Sequence, residues 1–484
     1  MIHLARLRPQ DNLQWSFVAF IGVLLASGAA ALVLEQPAAL LPALAFVGAL
    51  VCVLQWRWLY YLLFVLLPFS REVSLPGGLS MDVPSEPLML ALTACVGLSL
   101  LLRGGQPLGR RELLHPLVII LALMLVWTAA DTPFSVDTKK SVKYLLAKVW
   151  YLTPFLLGTL LIIRRPAQVW GVVAAYAGSS VLAVLYVLPR HAAAGFSFAE
   201  INHAVAPIFR NHVTYATVLA LLLPFTWYGA QASGRGLGRW AWRGGVGILL
   251  LGLLTSYTRA SWLSLPVAGL YYYFVLRRRL TVPLLLAAAL SFGGLALYFS
   301  EPSRFMRFAP DYEKTIFNGD NFEKHLAATY KLEDVSGMER VYRWVAASRM
   351  IADRPITGSG PATFYPEYKR YTISGFRTYV SDNPEKSTTH NYFLLQLAEQ
   401  GLPGFLLFCL LLSAALLLAE RLYHRTRVGA HRQVVLAATL SLVIIVFHLL
   451  LNELLEVDKI GSVFFVCLAL LIRAESWIAE EEPA

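Results

Sequence analysis

Residues 401–473 read GLPGFLLFCLLLSAALLLAERLYHRTRVGAHRQVVLAATLSLVIIVFHLLLNELLEVDKIGSVFFVCLALLIR. Three apolar runs, at roughly 401–419, 432–451 and 458–473, approach the ~20 residues that an α-helix needs to cross a bilayer core. The gap before residue 432 holds Arg421, Arg425 and Arg427, while the gap at 452–457 holds no arginine. Inside hydrocarbon every backbone N–H and C=O must be satisfied within the segment, so such runs read as helices. Arginine on one side only sets their direction, because short loops rich in Lys and Arg stay cytoplasmic.

Extended outward, the same pattern fills the chain. Of 484 residues, 57% are hydrophobic and only 15% are charged, against roughly a quarter charged in soluble proteins. Further apolar runs lie at about 15–34, 38–55, 57–70, 86–102, 114–130, 145–163, 168–188, 212–231, 244–257, 261–276 and 281–299. The expectation is an all-α polytopic integral membrane protein of about 12 to 14 transmembrane helices, with 57–70 or the pair 244–257 and 261–276 as places where a span is broken. Positive charge gathers at Arg6/Arg8, Arg103/Arg110/Arg111, Arg164/Arg165, Arg235/Arg239/Arg243, Arg277/Arg278/Arg279 and Arg421/Arg425/Arg427/Arg432. All fall on one side, which predicts that this side, with both termini, is cytoplasmic.

The net charge of +11 is thereby explained as orientation in the bilayer, and no basic tail remains to bind nucleic acid. Cys52, Cys95, Cys409 and Cys467 all fall inside apolar runs, as small buried hydrophobes rather than metal ligands or disulfides. The chain divides into N-terminal membrane helices (1–299), one long outer loop (300–400) and C-terminal membrane helices with a tail (401–484). In the loop, Val341, Trp344, Val345, Ser348 and Ile351 recur at helical spacing with Arg340, Arg343 and Arg349 between them. That is an amphipathic helix, expected to lie on the membrane surface.

Chemistry is sought on the outer side, where cations break the orientation rule. Arg259 stands between two apolar runs at an outer turn. A cation at a helix centre costs about 2.5–3.5 kcal/mol, so it is usually matched to an anion. The plainer reading is an arginine that reaches headgroups or pairs with an acid. Arg210, just ahead of the span beginning near His212, has the same two readings. Together, two guanidinium forks suit a pyrophosphate. His390, where the long loop re-enters the bilayer, is suited to taking a proton near neutral pH; a lone histidine is more often structural, and His203 and His212 share that side. Gly358-Ser-Gly360 lacks the Lys-Ser/Thr of a nucleotide loop and reads as a tight turn. Glu456 and Asp458 read as a solvated acidic turn rather than a metal pair. No zinc spacing, nucleophile elbow or dinucleotide fingerprint is present.

The many spans, the single long outer loop, Arg340 and Trp344 in its helix, the Gly358–Gly360 turn, His390-Asn391 and Leu-Ala-Glu-Gln-Gly-Leu-Pro-Gly at 397–404 resemble the O-antigen ligase family. That superfamily also holds O-antigen polymerases and protein O-oligosaccharyltransferases. The motif is confined to about 337–404, and Arg259 fits the family's arginine at the outer end of a mid-chain helix. The resemblance implies a metal- and cofactor-independent, GT-C-like glycosyltransferase in the bacterial inner membrane, with a periplasmic site. Its donor would be a glycan on undecaprenyl pyrophosphate and its acceptor a lipid A–core hydroxyl. It implies His390, Arg259 and Arg210 as catalytic residues and Arg340, Arg343, Trp344 and Asn391 as substrate contacts. Polymerisation or transfer to protein is the nearest alternative. A transporter or flippase is the alternative from another class, but it predicts charges spread through the bundle and paired half-repeats.

Overall fold

The computed structural model describes residues 56–75, 79–102, 108–298, 335–373 and 388–481, together with 22–23 and 26–27. Apart from 22–23 and 26–27, the expected first two spans with Arg6, Arg8 and Cys52 lie outside the described residues, as do Arg103 and the loop stretches 299–334 and 374–387.

The fold is an all-α membrane bundle. Among the described residues, eight helices are long and apolar enough to cross a membrane, and Trp56–Phe69 and Ser85–Leu98 are shorter apolar helices. In chain order the elements are α1 (Trp56–Phe69), β1 (Arg71–Leu75), β2 (Leu79–Val83) and α2 (Ser85–Leu102). Next come α3 (Pro116–Asp131), α4 (Thr138–Ile162), α5 (Pro166–Ala193), α6 (His212–Ala232) and α7 (Leu237–Leu254). Then follow α8 (Arg259–Leu270), α9 (Thr281–Tyr298), α10 (Val335–Asp353), α11 (Tyr392–Arg425), α12 (Gly429–Leu451) and α13 (Asp458–Glu481).

Local chemistry starts these helices where they start. Prolines open α3 and α5 at positions where a missing N–H costs nothing. Side-chain caps close the first turns of α4 (Asp137), α6 (Asn211) and α11 (Asn391). The α4 helix begins at Thr138 rather than near 145 because Asp137 caps a polar turn that apolar counting misses; a π-turn at Thr153–Gly158, around Pro154, then interrupts it. The segments 71–75 and 79–83, expected as loop, pair as antiparallel strands of a hairpin, with Arg71 opposite Val83 and Leu75 opposite Leu79.

Burial ranks the helices. Windows of α6 and α13 are 83% buried and α12 is 72% buried, so these form the centre, whereas α9 is 6% buried and faces outward. The helix ends fall in two sets. At the arginine-rich end, Arg473 pairs with Glu112 at 2.6 Å, Arg421 with Glu475 at 2.5 Å, and His115 Nε2 lies 3.0 Å from the same Glu475. At the opposite end lie the hairpin, α10 and the turns that join α7 to α8 and α12 to α13.

The α10 helix is amphipathic, with its buried face rotated from the expected stripe. Tyr342, Val345, Ala346, Ala347 and Met350 are buried, and the helix packs on α11 and the turn at Tyr368–Tyr371.

Candidate functional site

His390 is held at the mouth of α11 by contacts from three directions. Two residues upstream, the Thr388 carbonyl accepts from Arg343 Nη1 at 3.2 Å, and the Thr388 N–H donates to Glu453 Oε1 at 3.3 Å. The Thr389 carbonyl accepts from Trp344 Nε1 at 2.8 Å. Downstream, Asn391 caps Leu394 N at 2.9 Å and donates from Nδ2 to Leu450 O at 3.1 Å. Between these anchors His390 adopts φ 53°, a left-handed conformation that a residue with a β-carbon takes only when its surroundings impose it. Its Nδ1 lies 3.5 Å from Glu453 Oε2, and both side chains are less than one-third exposed.

A second framework fixes α10 against α11. Ser359 N donates to Ala398 O at 3.0 Å, Gly360 N to Glu399 O at 2.8 Å and Leu402 N to Pro355 O at 2.9 Å. The Glu399 carboxylate accepts from Ala362 N at 3.0 Å and Phe364 N at 2.8 Å. The glycine turn at 358–360 and the 397–404 segment are thus two halves of one joint. A Cβ on Gly358 would stand 2.5 Å from Glu399 O, and one on Gly401 would run into the Ile356 carbonyl.

The expected site residues divide accordingly. Arg343 is 5% exposed, paired with Glu339 at 3.4 Å and bonded to Thr388 O; with Trp344 and Asn391 it grips the chain around His390. Arg340 lies on α10 one turn ahead of Trp344, half-buried. Arg259 is the first residue of α8 and half-buried. Arg210 is exposed, one residue before the Asn211 cap of α6. Their segments meet, since Thr258 Oγ1 donates to His212 O at 3.3 Å.

From there α12 joins the arginines to the histidine. His448 lies between Thr217 of α6 and Ser261 of α8, 3.4 Å from each hydroxyl. One turn further α12 ends, and the chain passes into the turn that carries Glu453. The segments of Arg210, Arg259 and His390 are thereby assembled around the outer end of one helix.

Sequence reading passed over Glu453. It sits in an acidic turn where Glu456 and Asp458 drew attention instead, and those two have other occupations. Glu456 accepts from Lys148 at 2.7 Å, Tyr392 at 2.6 Å and Tyr144 at 3.1 Å. Asp458 accepts from Ser85 Oγ and from Lys459 N. Neither is a freely solvated loop carboxylate. The missed signal was an acid two residues beyond an apolar run, at the same end as a candidate histidine.

The family model described as O-antigen ligase matches residues 244–409. This stretch is similar to the O-antigen ligase family. The ligase-family region covers about a third of the chain. It contains Arg259, α10, the glycine joint and His390, and it leaves out Arg210, Glu453 and the hairpin. No curated protein matches the chain. The similarity to that family is thus confined to 244–409, within a chain whose described residues include eight helices long and apolar enough to cross a membrane.

Proposed function

We propose that the chain is an O-antigen ligase, an inverting glycosyltransferase of the bacterial inner membrane. It would move a glycan from undecaprenyl pyrophosphate to a hydroxyl of the lipid A–core oligosaccharide on the periplasmic side. The observation that carries the reading is that the ligase-family region holds both Arg259 and a strained histidine facing a carboxylate.

In this reading the acceptor hydroxyl gives its proton to His390 as its oxygen bonds to the anomeric carbon. The bond from that carbon to the pyrophosphate oxygen breaks on the opposite face, and one displacement inverts the centre. With Nδ1 turned to Glu453, Nε2 takes the proton, and the carboxylate stabilises the imidazolium that forms. Arg210 and Arg259 meet the charge that grows on the leaving pyrophosphate, a group that guanidinium forks match in shape. The pyrophosphate link supplies the driving energy, so the scheme requires no nucleotide, metal or other cofactor. Arg343, Trp344 and Asn391 act by fixing the backbone that presents His390, and Arg340 lies on the same helix toward the substrates.

The test is reconstituted transfer from a defined lipid-linked donor by purified protein in detergent. A general base contributes roughly 10²–10⁴ in rate, so His390→Ala should cut turnover by that factor at unchanged protein level. Full activity in that variant discards the scheme, and transfer without a sealed membrane separates an enzyme from a transporter. Glycan analysis of a deletion strain fixes the acceptor. Core without any O-antigen, with lipid-linked polymer accumulating, marks the ligase; core bearing a single repeat unit marks a polymerase.

A further inference from the structure

Lys459 is the second residue of α13 and is 5% exposed. Its ammonium donates to the carbonyl oxygens of Ile208 at 2.6 Å and Pro68 at 2.7 Å, and lies 4.5 Å from the centre of the Phe209 ring. Asp458, one residue earlier, accepts from Ser85 Oγ, which itself bonds Ser70 Oγ at 2.6 Å. Asp82 of β2 belongs to the same node, where burial and the neighbouring Asp458 carboxylate push it up to about 7.

A buried ammonium is costly unless its protons find acceptors, and a compact charge with three donors can join carbonyls that approach from different directions. Pro68 lies in the last turn of α1, while Ile208 and Phe209 lead directly into Arg210. The 206–212 loop has its other anchors further on, where His212 bonds Asn202 Oδ1 through N at 3.0 Å and Nδ1 at 2.8 Å. Thr258 holds the His212 carbonyl. Arg210 therefore lies between a lysine anchor on one side and a His212 anchor on the other. An apolar side chain of equal length would fill the same space and would not fix the Ile208 carbonyl.

We propose that Lys459 is a positioning residue, which holds the 206–211 loop so that the Arg210 guanidinium stands where the donor's pyrophosphate binds. The inference rests on the reading of Arg210 as a donor contact. Glu453 faces His390 from the turn before α13, and Lys459 holds the Arg210 loop from its first turn. The chain from 452 to 459 thus reaches both His390 and the loop that carries Arg210.

Two measurements on the full-length protein in detergent test this. Transfer kinetics with lipid-pyrophosphate-linked glycan compare the parent, Lys459→Met, Lys459→Gln, Arg210→Ala and the double variant Arg210→Ala/Lys459→Met. A spin label at Arg210→Cys reports loop mobility with and without Lys459→Met. Lys459→Met should raise the donor KM roughly tenfold with kcat and acceptor KM little changed, and Lys459→Gln, which keeps one donor group, should fall between. The double variant should be no worse than Arg210→Ala, because both changes remove one contact. The label should become more mobile. Unchanged donor KM and unchanged label mobility in folded protein overturn the proposal, as does an additive loss in the double variant. If Lys459→Met fails to fold, Lys459→Gln decides by the same criteria. Should the label loosen while Arg210→Ala keeps the parent's donor KM, the positioning stands and the donor role of Arg210 falls.

Discussion

The left-handed backbone of His390 costs a residue with a β-carbon about 1–2 kcal/mol, and the neighbours that impose it do so through main-chain atoms. Arg343 and Trp344 hold the two carbonyls before it, and Asn391 caps the helix after it. Such strain persists where the surroundings over-determine a conformation, and it concentrates at functional positions. Its product here is an imidazole turned to Glu453. Across 3.5 Å the protonated imidazole and the carboxylate attract as a partly screened ion pair, worth about 1–3 kcal/mol, which converts to roughly ten- to hundredfold in rate. Glu453→Gln keeps the size of the side chain and removes its charge. It should lower turnover by that factor and leave both KM values near those of the parent. Parent-like turnover in stable Glu453→Gln protein would remove the carboxylate from the mechanism. At this scale the sequence singled out His390, Arg259 and Arg210 as candidates by their residue type at an outer boundary. Glu453 was not legible, since an acid in a short turn has no feature of its own until a histidine 63 positions away in the chain (453 − 390) is folded against it.

Among the elements, the joint between the 358–360 turn and the 397–404 segment sets α10 against α11. Each half was readable as punctuation, a glycine turn and a Gly-Leu-Pro-Gly break, but their mutual fit was not, because interlocking backbones leave no periodic trace. Gly401 has φ 63° and lies against the Ile356 carbonyl. Gly401→Ala should therefore cost more than the ~1–2 kcal/mol of positive-φ strain alone. It should show as a lowered thermal midpoint in detergent together with lost transfer; a variant as stable as the parent would mean that the joint yields without penalty. The α10 helix gives the complementary lesson. Its amphipathic period is real, but the expected stripe of Val341, Trp344, Val345, Ser348 and Ile351 differs from the buried set by a partial rotation. Arg343 is drawn inside by Glu339 and Thr388, and periodicity counts arginine as an outward residue. Likewise α4 begins earlier than its apolar run because a cap, rather than hydropathy, decides where a helix starts.

Across the whole molecule, the arginine pattern read from the loops matches the way the helix ends are tied. Glu112, His115, Arg421, Arg473 and Glu475 join at one end. The hairpin, the Lys459 node and the Glu453 turn gather at the other. The tie at each end is polar and the shaft between is apolar, which leaves the bundle only two orientations in a bilayer. Positive charge in short loops then selects one of them. Leu237, 86% exposed at the start of α7 beside the arginine-rich connection from α6, and Val73, 44% exposed on the hairpin, mark the two ends. Single cysteines placed at each, in a background where the four native cysteines are replaced by serine or alanine, should label with opposite sidedness. A membrane-impermeant maleimide added to intact spheroplasts should react with Val73→Cys and spare Leu237→Cys, and inverted vesicles should reverse the result. Labelling of Leu237→Cys from outside would put the His390–Glu453 pair in the cytoplasm. A periplasmic transfer reaction could not then take place there, whatever the chemistry of the pair.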